Sequence, residues 1–355
     1  MTSIYLVRHA EAEGNLYRIA QGQANSSLTD RGWKQVRALE ERFRDIHVDA
    51  VYASDLYRTC ATASAVYLPK RLPLHKTPRL REVCVGAWEH RTWGEIQRRW
   101  PEEMVHFSKR PDLWRVEGAE TAEAARDRVL DAVRDIAREW EGKTVAVFSH
   151  GYVLRMLLSH LQGIPLRDLG KTPTGSNTAV SLLEAEGDRL RVVFRDDKRH
   201  LLEAEERTGE SLTGRASGLE IGLWYAPLRL PEQGELCAAL AEVPGRDREA
   251  LLREAAGEET LVGYLREEPV GLLGLDSAAG RITRLHVRPD CRGRGYGIQL
   301  VGQAVQRIRD RGGERVLAPL PSTEAAERFY RDYGFHAAPE GGGMEKIIAF
   351  DPAFL

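Results

Sequence analysis

Ile4-Tyr5-Leu6-Val7-Arg8-His9-Ala10-Glu11-Ala12-Glu13-Gly14-Asn15 decides the reading of the first half of the chain. Its opening apolar run reads as a buried strand. The strand passes directly into an arginine, a histidine and a polar loop. Ligands of open α/β sheets gather at the carboxyl ends of the strands, so Arg8-His9 stands where an anion anchor and a nucleophile belong. A single Arg-His pair is weak evidence, and its echo downstream carries the argument.

After the loop, Leu28-Thr29-Asp30-Arg31-Gly32 offers Thr29 or Asp30 as the cap of a helix predicted over 32–44, with Val36, Leu39 and Phe43 at helical spacing. Asp49 to Ser54 is a second strand. It leads into Asp55-Leu56-Tyr57-Arg58-Thr59, where an arginine sits in the first turn of a helix and the helix dipole favours an anion. Arg79-Leu80-Arg81-Glu82 precedes a segment rich in aromatics and glycine. A helix is predicted over 122–140. Thr144 to Ser149 is a third strand, ending at His150-Gly151. Strands alternating with helices predict a mainly parallel sheet covered on both faces. Such a sheet can bring Arg8, His9, Arg58, Glu82 and His150 together. A neutral imidazole can attack phosphorus, arginines can clamp phosphoryl oxygens, and a carboxyl group can move the proton of the leaving oxygen.

Composition narrows the class. At 355 residues the chain is long enough for two domains. A net charge of −2 supplies no large positive surface for nucleic acid or membrane. Four cysteines, without metal-ligand spacing, read as free thiols of a reducing compartment. No signal-like or spanning apolar run is present, so a cytoplasmic protein with no metal is expected.

Residues 1–207 resemble the histidine phosphatase superfamily, the phosphoglycerate mutase-like fold. The motifs are Arg8-His9-Ala10-Glu11…Asn15, Leu28-Thr29…Gly32…Gln35, Ser54-Asp55-Leu56-Tyr57-Arg58-Thr59, Leu80-Arg81-Glu82…Gly86…Trp88 and Ser149-His150-Gly151. Ala10 and Ala12 depart from the family's usual glycine and hydroxyl residue. The resemblance implies a three-layer α/β/α fold with His9 as nucleophile. Arg8, Arg58 and His150 hold the phosphoryl group, Glu82 donates the proton, and Asn15, Gln21 and Gly22 bind substrate. The Trp88–Trp100 segment and residues 176–178 either line the substrate pocket or, for the tryptophans, belong to the core. The stretch from Glu82 to His150 is short and resembles small phosphatases more than phosphoglycerate mutases.

Residues 208–218, rich in Gly, Ser, Thr and Glu, read as a linker. Beyond it, a strand is predicted over 219–226 and one or two helices over 233–256. Three strands at hairpin spacing follow, over 260–265, 270–275 and 282–287. Pro289 to Gly297 is a glycine-rich loop with Arg292 and Arg294, opening an amphipathic helix that reaches about residue 311. Such a loop lets helix amides approach a phosphate. It is not a Walker loop, because no Lys-Ser/Thr follows the last glycine. Residues 219–355 resemble the GNAT superfamily of N-acetyltransferases, a mixed α+β fold. The resemblance is carried by Leu285-His286-Val287, Arg292-Gly293-Arg294-Gly295-Tyr296-Gly297 and Ala326 to Phe335. It implies that Leu285, His286 and Val287 bind the pantetheine arm of acetyl-CoA, that residues 292–297 cradle its pyrophosphate, and that Tyr330 protonates the leaving thiolate. Thr323 replaces a common asparagine. His286 and Glu220 are candidate bases by residue type.

The expectation is a bifunctional enzyme. It hydrolyses a small-molecule phosphate ester through phosphohistidine and transfers acetyl from acetyl-CoA to an amine. The alternatives are mutase-type phosphoryl transfer, or a second domain that binds acetyl-CoA only to regulate the first.

Overall fold

A computed structural model of the chain describes residues 1–213, 222–230, 232–241, 248–339 and 342–355. The first half contains β1 (Thr2–Arg8), α1 (Glu13–Tyr17), α2 (Asp30–Phe43), β2 (Ala50–Ala53), α3 (Tyr57–Lys70) and β3 (Leu74–Lys76). It continues with α4 (Trp93–Arg99), α5 (Pro101–Lys109), α6 (Ala122–Glu139), β4 (Thr144–Ser149), α7 (Gly151–Leu161), β5 (Val180–Glu186), β6 (Arg189–Asp197) and α8 (Arg199–Thr208). The sheet order is β3-β2-β4-β1-β5-β6. The first four strands are parallel, and β5 and β6 complete the sheet antiparallel. β1 and β4 lie side by side, with Arg8 opposite Ser149. Their carboxyl ends therefore place His9 and His150 next to each other, which is the consequence of two parallel strands both ending in histidine.

Buried side chains cover both faces of this sheet, Ile4, Leu6 and Val147 on one and Val7, Val51 and Phe148 on the other. The near-continuous apolar runs of β1, β2 and β4 are those of strands covered on both sides. Trp88 and Trp114 are among the largest fully buried side chains. Trp88 is therefore core, and the pocket role left open for it in the sequence does not hold. Helix α2 begins at Asp30 because Thr29 is the cap, its Oγ1 accepting from the Gly32 amide at 3.0 Å.

The second half contains β7 (Trp224–Pro227), α9 (Gly234–Ala241), α10 (Arg248–Ala256), β8 (Glu259–Leu265), β9 (Glu268–Asp276) and β10 (Arg281–Val287). α11 (Tyr296–Asp310), β11 (Arg315–Ala318), α12 (Glu324–Asp332), β12 (His336–Ala337) and β13 (Met344–Ile347) follow. The sheet order is β12-β13-β11-β10-β9-β8-β7, with only β10 and β11 parallel among the described strands. The strand expected from 219 begins outside the described residues, which resume at 222, and β7 starts at Trp224.

Residues 209–213 continue on the first domain: Leu212 is buried against Ala38, Leu201 and Ala204, and Gln35 Nε2 donates to its carbonyl at 2.7 Å. The end of the chain also returns there. Phe350 and Phe354 pack on Tyr57 with ring centroids 5.0 and 5.9 Å apart, and Phe354 lies 5.7 Å from Trp33. Among the described residues, no helix is long and apolar enough to cross a membrane.

Candidate active site

The loop after β1 is fixed from several directions. The His9 amide donates to the Ser149 carbonyl at 3.0 Å, tying it to β4. Asn177 Nδ2 donates to the His9 carbonyl at 2.9 Å, and the Ala10 amide donates to Thr62 Oγ1 at 2.9 Å. Further along, Glu11 is held by Arg31 and by the Thr29 hydroxyl at 2.7 Å, while Gln35 Oε1 accepts from its amide at 2.8 Å. A Cβ on Gly32 would lie 2.2 Å from the Glu11 carbonyl, so this position must lack one. The Leu28-Thr29…Gly32…Gln35 motif thus serves to clamp the nucleophile loop, a role the sequence did not reveal.

His9 is 4 % exposed, and its ring centroid lies 5.3 Å from that of His150. His9 Nδ1 sits 2.7 Å from the Ala10 carbonyl. A carbonyl can only accept, so Nδ1 carries the hydrogen and the Nε2 lone pair is left for attack. His150 is fully buried, with Nε2 2.9 Å from Ser54 Oγ. Ser54 Oγ also accepts from the Leu56 amide at 3.3 Å. A Ser54 hydroxyl that donates to His150 Nε2 leaves the His150 hydrogen on Nδ1. Burial, reinforced by Arg58 and Arg8, holds His9 well below the usual imidazole range. Burial, with Arg58 and His9 next in weight, does the same to His150. Both rings are neutral at physiological pH.

Arg58 is 1 % exposed. It donates from Nη1 to the Ala24 carbonyl at 2.7 Å and from Nη2 to the Gly22 carbonyl at 2.9 Å, so it anchors the loop that carries Gln21 and Gly22. Burial lowers its pKa to about 10, against the opposing charges of Glu82 and Glu89, and it stays a cation. Arg8 crosses the start of α7, where a Cβ on Gly151 would lie 2.8 Å from its Nε. Around His9, the buried nitrogens Arg8 Nε, Arg58 Nε and His150 Nδ1 have no hydrogen-bond partner among the described residues. Buried donors without acceptors are costly, and this set, grouped by the ends of β1, β4 and α3 around a neutral imidazole, suits an anion with several oxygens.

Glu82 caps α7. Its Oε1 accepts from the Val83 and Val153 amides and its Oε2 from the Tyr152 amide, each at 3.0 Å. Its charge also reaches Arg8 and Arg58. The five residues expected to converge therefore do so. Asn15 is less directly placed, because its Oδ1 accepts from the Ala12 amide at 3.0 Å and caps α1. Ser54 is legible only as a motif position, although its hydroxyl contacts His150 Nε2.

In the second half, β10 pairs with β9 through Leu285, His286 and Val287. Its parallel pairing with β11 is confined to Arg281 and Leu317, and the two strands form no further pair among the described residues. The loop 292–297 has Gly293 and Gly295 at φ 71° and 82°, in the left-handed region, and Gly295 caps α11. A Cβ at either glycine would meet nothing within 4 Å, so the turn is open on that side, and Arg292 and Arg294 are exposed. The Tyr296 side chain, by contrast, is buried beside Leu223, Val270 and Cys291, leaving its backbone to the loop. This arrangement of turn, helix start and cations fits a pyrophosphate. Tyr330 on α12 is 5 % exposed, and burial raises its hydroxyl to about 12. A Cβ on Gly297 would lie 3.1 Å from Phe329, so α12 rests against the start of α11. Thr323 caps α12 through the Ala326 amide. Glu220 lies outside the described residues. Among the described residues, no cluster of His, Cys, Asp or Glu could hold a metal ion.

The profile of the Histidine phosphatase superfamily (branch 1) matches residues 4–198, more than half of the chain. The chain belongs to the histidine phosphatase superfamily. It also carries an acetyltransferase domain, since the profile of the Acetyltransferase (GNAT) family matches residues 228–335. Phosphoserine phosphatase 1 of Hydrogenobacter thermophilus is 30 % identical over 166 residues, 47 % of this chain and 79 % of that protein. The metal-independent phosphoserine phosphatase of Arabidopsis thaliana is 36 % identical over 160 residues, 44 % of this chain and 67 % of that protein. A probable phosphoglycerate mutase, GpmB, of Proteus mirabilis is 33 % identical over 168 residues, 46 % of this chain and 77 % of that protein. Among solved structures, Bacillus stearothermophilus YhfR matches with a TM-score of 0.55 and 32 % identity, covering 56 % of this chain and 99 % of that one.

Proposed function

We propose that the histidine phosphatase domain hydrolyses small phosphate monoesters through a phosphohistidine at His9. The GNAT domain, in this reading, transfers acetyl from acetyl-CoA to an amine. The observation that carries the first activity is the set of buried donors without acceptors around a neutral His9.

His9 Nε2 attacks phosphorus. The bond to the alcohol oxygen breaks, and Glu82, which enters this step protonated, gives that oxygen its proton and leaves as the carboxylate. Arg8, Arg58 and His150 Nδ1 hold the phosphoryl oxygens, where charge accumulates in the transition state. Water then attacks the phosphohistidine, Glu82 takes up its proton, and the P–N bond breaks to return neutral His9 and inorganic phosphate. No metal enters this sequence. The two relatives named as phosphoserine phosphatases support small phosphate esters of hydroxylated amino compounds as the substrate class. Gln21, Gly22 and Asn15 are assigned to the substrate by the family resemblance alone.

In the GNAT domain, residues 292–297 offer backbone amides to the pyrophosphate. The edge of β10 at Leu285–Val287 offers backbone to the pantetheine arm. Bound acetyl-CoA would supply the activated thioester, and Tyr330, still protonated well above neutral pH, is the residue this reading assigns to protonate the departing thiolate. His286 is the acceptor's candidate base among the described residues.

The test is a rapid quench with a radiolabelled aryl phosphate. Acid-labile, alkali-stable label on the wild-type chain, absent from His9→Ala, is expected. A His9→Ala variant that still turns over would remove His9 as the nucleophile. Isomerised phosphate ester in place of inorganic phosphate would mark a mutase.

A further inference from the structure

The stripe of α11 that faces away from its own sheet packs against α1, the helix that follows the nucleophile loop. Gly302 lets the two approach so closely that a Cβ there would lie 2.5 Å from Tyr17. Gln306 Nε2 donates to the His90 carbonyl at 3.0 Å. At the far end of the stripe, Arg309 Nη2 stands 3.0 Å from Glu13 Oε2, and the Glu13 side chain is 6 % exposed. Glu13 is four residues beyond His9 and its amide is tied to the Ser27 carbonyl. Arg309 also donates to the Ile348 carbonyl at 2.8 Å and lies 5.0 Å from the Phe350 ring. Phe350 in turn packs on Tyr57, the residue before Arg58. One guanidinium of the GNAT domain thus reaches both approaches to the phosphatase site: directly at Glu13, where the loop that carries His9 ends, and through Phe350 at the start of the helix that carries Arg58.

A carboxylate this buried needs its cation, because a charge left alone in a low-dielectric surrounding moves toward water or takes up a proton. Either response displaces the loop that ends at Glu13. Small displacements of a nucleophile cost rate steeply, about a hundredfold for roughly 1 Å. Resting on the phosphatase reading above, we propose that Arg309 is a positioning residue for the phosphatase reaction, supplied by the acetyltransferase domain. It fixes the His9 loop through Glu13 and steadies Arg58 through Phe350 and Tyr57.

The test uses the whole chain. Hydrolysis of an aryl phosphate is measured for Arg309→Gln, Arg309→Lys, Gly302→Leu and the double variant Glu13→Gln with Arg309→Gln. Thermal melting is followed in parallel, with acetyl-CoA binding by calorimetry. Arg309→Gln is expected to lower kcat tenfold or more while KM changes less than threefold. Arg309→Lys recovers most of kcat because it keeps the charge. The double variant recovers part, because no lone carboxylate remains. Gly302→Leu, which pushes α11 off α1 without touching a charge, reproduces the loss. Wild-type kcat in Arg309→Gln would overturn the proposal. So would an equal loss in Arg309→Gln, Arg309→Lys and the double variant that simply follows the melting temperature, since that is what a purely structural contact gives. A His9→Ala control that retains turnover would instead bring down the phosphatase reading itself, which keeps the two failures apart.

Discussion

Lowering the pH separates what the active-site histidines do for chemistry from what they do for stability. His9 and His150 are held neutral by burial first and by the arginines around them second. His200, which bridges Thr178 Oγ1 at 3.1 Å and Arg42 Nη1 at 3.3 Å, is pushed down to about 3 by burial and then Arg42. An imidazole with an ordinary pKa near 6.5 would be only about 3 % neutral at pH 5, and a nucleophile of that kind would lose about thirtyfold in rate. His9 is held well below the ordinary imidazole range, so kcat/KM per folded molecule should show no acid limb near pH 6.5 when referred to the phosphate dianion, whose own ionisation falls near pH 6. Stability runs the other way. These groups have folded-state pKa values below the unfolded value. Above pH 6.5 both states leave them neutral. Below it the unfolded chain binds protons that the folded chain refuses, so stability falls as pH drops from 6.5 toward the lowered values. For His200, held at about 3, this costs about 1 kcal/mol between pH 6.5 and 5.5, and His9 and His150 act in the same direction. The assay pairs a pH–rate profile on an aryl phosphate with urea melts at the same pH values. An acid limb in kcat/KM centred near pH 6.5, after correction for substrate ionisation, would refute the neutral, buried nucleophile.

Three further outcomes follow from the same geometry. Glu82→Gln should cut turnover of alkyl phosphates by about a hundredfold or more, the usual worth of a general acid. Aryl phosphates, whose leaving groups need less protonation, should lose much less, and equal losses would argue against Glu82 as the acid. The same variant gives up one of two oxygens that cap α7 and should lose about 1 kcal/mol of stability in a urea melt. Tyr330→Phe should lower acetyl transfer about a hundredfold while calorimetric acetyl-CoA binding is unchanged; lost binding would make Tyr330 a packing residue. Phosphatase turnover should be the same with and without excess chelator, and its complete loss would undermine the metal-free sequence.

The candidate site residues are legible because charged side chains at the ends of apolar strands have few structural explanations. Arg8, His9, Arg58, Glu82 and His150 each sat at a strand or helix end, and parallel pairing of β1 with β4 made their convergence a matter of topology. Trp88 was not resolvable, since an aromatic near a site can line a pocket or fill a core and both produce the same local pattern. The part played by Ser54 is not legible because the ring it contacts lies 96 positions away in the chain. Glu13 was read as one polar letter of a loop, because its partner comes from the other domain.

Helix α11 shows the limit most clearly. Its apolar positions Leu300, Val301, Ala304, Val305 and Ile308 mark the face that covers its own sheet, and the remaining positions should then be solvated. Gly302 and Gln303 are nevertheless buried, and Gln306 and Arg309 half-buried, because α1 covers that side. Amphipathic periodicity reports one buried stripe, and a helix wedged between two domains has two. The second is built here from a glycine for close approach, an amide for a carbonyl and an arginine for a buried carboxylate, none of which registers as hydrophobic. Tyr17, Tyr57, Trp33 and Trp93 likewise meet the second domain or the tail of the chain. A cut at the end of α8 would therefore uncover aromatic surface and leave Glu13 without its cation. The boundary suggested by composition marks where the sequence changes character, while the physical unit of the phosphatase extends across it to α11 and the returning tail.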